Sequence, residues 1–379
     1  MKNPLTWLNK KVGILGGGQL ARMLCLEGHK LGLEMHVLSA HADDPAALVT
    51  RFWHNGDVNN STHLGAFFNQ VDLVLIESEF LDEHALLAAE AQSKTQLQPK
   101  IRLIAELSDR LKQKTWLESF DIPTSDFSAM TDFQDAEEFA SASRQGVVFK
   151  KRRFGYDGYG TFIFKNLNSV KKWIERDSPK LNEYIIEKFI PFRRELAQQF
   201  TVSACGDIYE HPLVEWKAKD SKCLWVKGPV HHKQIQKFNK KIKKSLIKSG
   251  FVGAITFELF DTGKALLVNE VAPRVHNSGH YSLDALTLNQ FSAHILAALG
   301  ASLPERASLK TKGFSMINLI ARQSGDAPAR WPVPESGVLH WYGKKLSRPG
   351  RKMGHVNFLS SNPDRALKMA LKELKRFTL

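Results

Sequence analysis

The stretch GAITFELFDTGKALLVNEVAPR, ending at Arg274, puts three oxygen-bearing side chains where hard-metal chemistry is possible. It reads as a hairpin, two apolar strands around Asp261-Thr262-Gly263. Glu258 lies on the first strand, and Asn269 and Glu270 end the second. Carboxylate and amide oxygens of this kind suit Mg²⁺, with substrate phosphates completing the shell. Alone, such a pair is usually the solvated edge of a sheet. Its company changes the reading. Lys150 ends an earlier apolar run, GVVFK, and the glycine-containing loop RRFGYDGYG follows it. Next, IIEKFI carries Glu187 into an apolar stretch that would receive an adenine. Glu195 follows at a spacing suited to bonding a ribose. Lysine, glycine loop, apolar hinge and metal carboxylates, in that order, describe an ATP site that is neither a Walker loop nor a kinase.

A second glycine cluster opens the chain. In VGILGGGQLARM, Gly16, Gly18 and Ala21 fit G-x-G-x-x-[GA], the turn that brings a helix N-terminus to a phosphate. A dinucleotide reader ends its second strand on an acid that bonds the ribose. Here MHVLSA puts Ser39 at that place, and Asp43 and Asp44 fall in the following loop. The unit is therefore expected to be Rossmann-like but to serve another phosphate.

The elements that would carry these residues follow from periodicity. Residues 12–104 alternate short apolar runs (VGIL, MHVL, VDLVLI, IRLI), expected as strands, with helices, the βαβ signature of a parallel sheet. SDRLKQKTWLESFDIPT reads as a helix capped by Ser108 or Asp109 and closed before Pro123. GVVFK and TFIF look like strand–loop–strand. The tail from about 302, with MINLIA, LHWYGKK and RPGRKMGH, reads as a small mixed unit. The expected class is α/β, turning α+β in the middle. The boundaries are 1–108, 109–301 (with a lid at about 122–187) and 302–379.

At 43% hydrophobic content the chain can bury real cores. It has no apolar run long enough to span a bilayer and no secretory h-region. Three scattered cysteines, Cys25, Cys205 and Cys223, build neither a disulfide framework nor a CxxC pair. The expectation is a reduced, cytoplasmic protein without a membrane partner. Lys+Arg exceed Asp+Glu by 53 − 39 = 14, which suits anionic small molecules or nucleic acid. The densest run, KQIQKFNKKIKKSLIKSG, has Ile235, Phe238, Ile242 and Leu246 on one helical stripe and lysines on the other. Its one aromatic residue, Phe238, sits on the apolar stripe and does not give the aromatic interleaving a single-strand binder requires, so nucleic acid is not expected.

The strings GILGGGQLARM, SDRLKQK, GYDGYG, NEVAPRVHNSGH, LHWYGK and PGRKMGH, spread from about residue 11 to 360, together resemble the ATP-grasp superfamily. Within it they resemble the purine-pathway enzymes that carboxylate 5-aminoimidazole ribonucleotide. The resemblance implies a Rossmann-like first domain, ATP-grasp lid and central domains and a small C-terminal unit. It implies ATP, bicarbonate and aminoimidazole ribonucleotide as substrates, carboxyphosphate as intermediate and Mg²⁺ (or Mn²⁺) as cofactor. It further implies a homodimer, with a mutase as pathway neighbour. By position, Arg110 and Lys150 would meet the nucleotide phosphates. The loop Gly155, Tyr156, Asp157, Gly158 to Gly160 would be the lid over them. Glu187, Lys188, Phe189 and Ile190 would be the adenine hinge, and Glu195 would hold the ribose. Glu258 and Glu270 would hold the metal, with Asn269 beside them. Arg274 and His276 would face the carboxyl intermediate, near Asn277 and Ser278. Gly18, Gln19, Glu79, Lys344, Arg351 and Lys352 would surround the ribonucleotide.

Three departures from the family pattern stand out. Phe154 replaces a lid glycine and Tyr159 a basic residue. IESEFL lacks the usual threonine and asparagine. Trp216 and Ala218 occupy the places of an Asn-x-His pair that reaches toward the nucleotide phosphates, with Arg152, Arg153, Lys217 and Lys219 nearby to compensate. Two other readings stay open: a different carboxylate–amine ligase of the superfamily, against which PGRKMGH speaks, and a nucleotide-binding homologue of weakened catalysis.

Overall fold

The computed structural model describes residues 7, 9–155, 158–327 and 333–377. Its first unit is a five-stranded parallel sheet in the order Phe52–Asn55, Glu34–Ser39, Lys11–Leu15, Leu73–Ile76, Gln96–Gln98. Val12, Ile14, Leu15, Val74 and Leu75 are wholly buried, as strands covered on both faces must be. The chain winds outward first to one side of Lys11–Leu15 and then to the other, so a crevice opens at the carboxyl ends of Lys11–Leu15 and Leu73–Ile76. The two turns meeting there carry Gly16–Gln19 and Glu77–Glu79. Gly16 has φ +110°, and a Cβ on it would lie 2.8 Å from Glu77 Oε1. The glycine turn thus makes room for an acid from the neighbouring strand end.

One expected strand is a helix. IRLI opens the helix Ile101–Ser108, with Ile101, Ile104 and Ala105 buried at the three- and four-residue spacing that a short apolar run conceals. The fifth strand is the short, polar QLQ just before it. The next helix, Arg110–Ser119, is capped by the Asp109 carboxylate, which accepts from the N–H groups of Leu111 and Lys112.

The lid is a four-stranded antiparallel sheet, in the order Phe127–Ala129, Tyr184–Lys188, Val147–Lys151, Thr161–Phe164. Phe149, Val170, Trp173 and Ile186 form its core, beneath the helices Phe133–Ala142 and Leu167–Asp177. The central sheet has nine strands. Arg194–Val202 pairs with Gly253–Asp261, which pairs in turn with Leu266–Ala272. The lysine-rich helix Ile235–Ser249 buries Phe238, Ile242 and Leu246 against this sheet and ends at Gly250, φ +65°. On its other side the sheet runs through Val214–Lys219 and Lys222–Gly228 into Gly313–Ile320, Lys352–Ser360 and Val338–Trp341. The strands of the last region therefore extend the central sheet, and their residues reach its cleft directly. Among the described residues no helix is long and apolar enough to cross a membrane.

Candidate active site

A cavity of about 640 Å³ lies where the parallel sheet, the lid and the central sheet meet. Its walls change character along its length. One end is apolar: Val148 and Ile163 come from the lid, Phe189 and Ile190 from the hinge, Phe192 from the segment before the strand Arg194–Val202, and Phe260 from the central sheet. The last two rings stack at 4.6 Å and 8°. The Glu187 carboxylate does not point into this slot as a ligand. It is buried, with Lys114 Nζ at 3.0 Å, Lys150 Nζ at 3.0 Å and Ser125 Oγ at 2.6 Å. Burial alone would raise it, but those partners outweigh burial and hold it at about 2. Burial in turn pushes Lys114 down to about 8. All four residues of the hinge Glu187–Ile190 line the cavity. Glu195 lies at the edge of this region, pushed up to about 7 by burial.

The middle is ionic. Lys150 Nζ donates to Asn269 Oδ1 at 2.8 Å. Arg110 Nη2 donates to Glu270 Oε1 at 2.9 Å and to the Gly155 carbonyl at 3.1 Å. Glu258 and Glu270 are register partners across the hairpin, whereas the next residue, Leu259, faces Val268. Asn269 is thus the extra residue of a β-bulge. Neighbours on a regular strand point to opposite faces; the bulge lets Asn269 and Glu270 both line the cavity. Burial pushes Glu258 up to about 8, reinforced by the Glu270 and Glu195 carboxylates. His276 Nε2 stands 3.5 Å from Glu258 Oε1. Its Nδ1 accepts from the Ser278 N–H at 3.3 Å, which places the ring proton on Nε2. Burial, then Arg274 and Lys352, keeps that ring neutral.

At the far end Arg274 grips Glu79 with two bonds, Nε to Oε2 and Nη2 to Oε1 at 2.8 Å. Glu77 beside it is raised to about 8 by burial; Arg274 opposes the rise and Glu79 adds to it. Gly18, Gln19, Asn277 and Lys352 complete this wall, and the Asn277 amide is paired with that of Asn318 at 3.0 and 2.6 Å.

Most of the residues expected from sequence therefore meet in one cavity. Gly160, Ser278, Lys344 and Arg351 do not line it. Arg351 immediately precedes the strand that starts at Lys352, and adjacent residues of extended chain face opposite ways; its Nη1 donates to the Leu346 carbonyl at 2.7 Å. Lys344 Nζ donates to the Lys352 carbonyl at 2.6 Å. Tyr156 and Asp157 lie outside the described residues. Trp216 and Ala218 do line the cavity, so the departure there falls where a phosphate contact would be made. The four expected compensating cations are absent from its lining. Arg152 and Arg153 pair with Asp109 at 2.8 and 3.4 Å, while Lys217 and Lys219 are exposed. Sequence reasoning missed Lys114 and Phe260 and left Glu77, in IESEFL, without a role. Glu77, the first residue beyond an apolar strand next to a glycine turn, carried the clearest signal of the three.

Comparison with known proteins bears on this geometry. Residues 9–106 match a family model described as the ribonucleotide synthetase preATP-grasp domain, and 115–291 the ATP-grasp domain. Residues 315–369 match the phosphoribosylaminoimidazole carboxylase C-terminal domain. The N5-carboxyaminoimidazole ribonucleotide synthase of Synechococcus elongatus is 36% identical over 354 residues, spanning 91% of this chain and 88% of that protein. The crystal structure of the Staphylococcus aureus N5-carboxyaminoimidazole synthetase complexed with ADP superposes with TM-score 0.86 at 26% identity, over 97% of each chain. That of the Thermus thermophilus N5-carboxyaminoimidazole ribonucleotide synthetase gives 0.86 at 29%, over 97% of this chain and 98% of its own.

Proposed function

The chain belongs to the N5-carboxyaminoimidazole ribonucleotide synthase family of ATP-grasp enzymes, and we propose that its cleft performs that family's reaction with the residues in the roles below. The reaction is the ATP-dependent carboxylation of 5-aminoimidazole ribonucleotide in purine biosynthesis. Adenine enters the apolar slot against the hinge backbone, and Glu195 bonds the ribose. Lys150 and Arg110 exchange their present partners, Asn269 and Glu270, for the ATP phosphates as the Gly155–Gly160 loop closes.

Glu258, Asn269 and Glu270 form a donor set that fits Mg²⁺. All three side chains line the cavity, and at Glu258 burial with the Glu270 and Glu195 charges outweighs the nearby Lys352 and Lys150. Among the described residues no group of three or more His, Cys, Asp or Glu forms a metal cage. That suits an ion which takes two carboxylates and completes its shell with phosphate oxygens and water. Bound there, Mg²⁺ would neutralise charge on the transferring phosphoryl group.

A bicarbonate oxygen attacks the γ-phosphorus, ADP leaves, and carboxyphosphate forms. The substrate amine then takes the carboxyl carbon; phosphate leaves, and the amine loses one proton. Arg274 and the His276 Nε2–H serve as donors to the carboxyl oxygens. Neutral His276 is suited to donate a hydrogen bond rather than to act as a base. The ribonucleotide occupies the crevice by Gly18, Gln19, Glu79 and Lys352. Lys344 supports the strand that presents Lys352. A cytoplasmic homodimer that hands its product to a mutase belongs to the same reading.

The observation that carries this assignment is the bulge, which lets Asn269 meet Lys150 and Glu270 meet Arg110 in one cavity, with Glu258 opposite. The test is phosphate release from ATP with and without aminoimidazole ribonucleotide and bicarbonate. Turnover requiring both substrates is expected. ADP binding without such turnover would favour a nucleotide-binding homologue instead, a reading to which Ala218 lends its one observation.

A further inference from the structure

Gln290 does not line the cavity, yet it is wholly buried, and three of its side-chain bonds go to the loop that presents His276 and Asn277. It begins the helix Gln290–Ala298, whose cap, Asn289, accepts from Phe291 and Ser292. Its Oε1 accepts from the His276 N–H at 2.9 Å and from Gln199 Nε2 at 2.8 Å. Its Nε2 donates to the His276 carbonyl at 2.9 Å and meets His280 Nδ1 at 2.9 Å. One amide thus binds both backbone polar groups of His276 and one ring nitrogen of His280. The fit leaves no slack: a Cβ on Gly279 would come within 2.6 Å of both Gln199 Oε1 and Gln290 Oε1.

The bonds to His276 have a consequence for His280. An N–H must face the His276 carbonyl and an oxygen must face the His276 N–H, so the carboxamide cannot flip. Its nitrogen therefore faces His280 Nδ1 as a donor, and Nδ1 can only accept. The ring proton of His280 is then confined to Nε2, which finds no hydrogen-bond partner among the described residues. The groups around that ring are Lys352, His340 and Arg274, with His355 5.1 Å away between ring centres. None is an acid that would draw a second proton. His276 is confined to the same tautomer by Ser278. The loop therefore presents two neutral imidazoles, both protonated on Nε2.

We propose that Gln290 is a positioning residue for the carboxylation step: it fixes the His276 backbone and confines His280 to the Nε2–H tautomer, so that the loop 276–280 is ordered before substrate arrives. The role rests on the carboxylation reading of this cavity. Glycine 279 and the asparagine pair of residues 277 and 318 limit the loop from its other sides. Among the described residues, Gln290 is the only side chain that bonds both the N–H and the carbonyl of His276.

The experiment uses the full chain in three arms. Phosphate release by the parent is measured first; lack of dependence on aminoimidazole ribonucleotide and bicarbonate would overturn the carboxylation reading and leave the clamp to the second arm. The second arm is ¹⁵N-histidine NMR at pH 7, with the His280 signal identified by its loss in His280→Asn. The parent should show His280 neutral with its proton on Nε2. Gln290→Glu, which puts an acceptor where the donor stands, should give His280 a proton on Nδ1. A parent His280 protonated on Nδ1, or a signal unmoved by Gln290→Glu, refutes the clamp. In the third arm Gln290→Met, close in size but without hydrogen bonds, should lower kcat roughly tenfold to hundredfold, the scale of a small misplacement of reacting groups. Its KM for ATP should stay within about twofold. Unchanged kcat in either folded variant, or an equal loss in ATP affinity, refutes the positioning role. If Gln290→Met does not fold, the NMR of the parent and of Gln290→Glu still decides the tautomer.

Discussion

Glu258 is expected to be a liability to the ligand-free fold and a necessity to the reaction. Its carboxyl is raised from 4.5 to about 8 by burial and by the Glu270 and Glu195 carboxylates. A raised acid adds no penalty while it stays protonated in both states, below about pH 4.5. The penalty grows as pH rises toward the folded value and is complete above it. Stability of the ligand-free protein should therefore fall between about pH 4.5 and 8, with Glu77 and Glu195 contributing in the same sense. Thermal melts should find Glu258→Gln more stable than the parent at pH 8 and little changed at pH 5. Phosphate-release assays should find both Glu258→Gln and Glu270→Gln nearly inactive, because each loses a hard anionic metal ligand. Near-normal turnover of either at saturating Mg²⁺ would remove the metal assignment. Arg274 differs, because its loss strands the Glu79 carboxylate. Breaking a buried pair by removing one partner costs roughly 3–5 kcal/mol. Arg274→Ala should thus lose both stability and turnover. The double variant Arg274→Gln/Glu79→Gln should recover much of the melting temperature but not the rate. Recovery of both would mean that the pair is structural only. The types and order of these residues were legible in the sequence. Their charge states were not, since they depend on burial and on neighbours from distant segments.

At the scale of elements, the strand Val214–Lys219 and the lid turn are where the affinity for phosphate is expected to be set. Trp216 and Ala218 both reach the cavity, and Arg152 and Arg153 are committed to Asp109. Ala218→His should therefore lower the KM for ATP, by up to about tenfold if the new bond is worth the roughly 1.5 kcal/mol at the low end for a charged partner. Tyr159→Arg should do less, since Lys151 Nζ already lies over the Tyr159 ring at 5.8 Å and a second cation there is repelled. An unchanged KM in Ala218→His, measured by phosphate release, would mean the phosphates pass beyond its reach. Phe154 shows what a pattern departure means physically. It holds φ +61°, a conformation that costs any residue but glycine on the order of 1 kcal/mol. Its ring lies 6.1 Å from that of Phe80 at the crevice of the parallel sheet.

At the scale of the whole molecule, the cleft works only while its sheets keep their mutual positions. Glu27 on the first helix helps fix them. Its carboxylate accepts from Asn289 Nδ2 at 2.8 Å and Ser292 Oγ at 2.9 Å, both on the helix that carries Gln290. Glu27→Ala should cost roughly 1.5–3 kcal/mol, the range for a hydrogen bond to a charged group. Thermal melts measure that loss. The KM for ATP should hold, because the ATP end is built from the lid and the central sheet. A melting temperature equal to the parent's would show the contact to be dispensable.

Several features were settled by sequence alone. Alternating apolar runs made the parallel sheet, because strands buried on both faces cannot be polar. The lysine helix and its Gly250 cap followed from a period of 3.6 and from the backbone conformation that glycine alone adopts freely. Candidate metal and phosphate residues could be proposed from the order of carboxylate, amide and ammonium groups, and the structure brings those side chains to one cavity. What tertiary structure alone decided were relations between segments. The helix at IRLI was settled by what its side chains pack against, which a four-residue run does not reveal. The joining of the last region to the central sheet depended on pairing between Lys222–Gly228 and Gly313–Ile320, nearly a hundred residues apart. Above all, Asn269 and Glu270 should face opposite ways by the period of a strand. They face one cavity because a single extra residue shifts the register, and a register exists only once two strands have met.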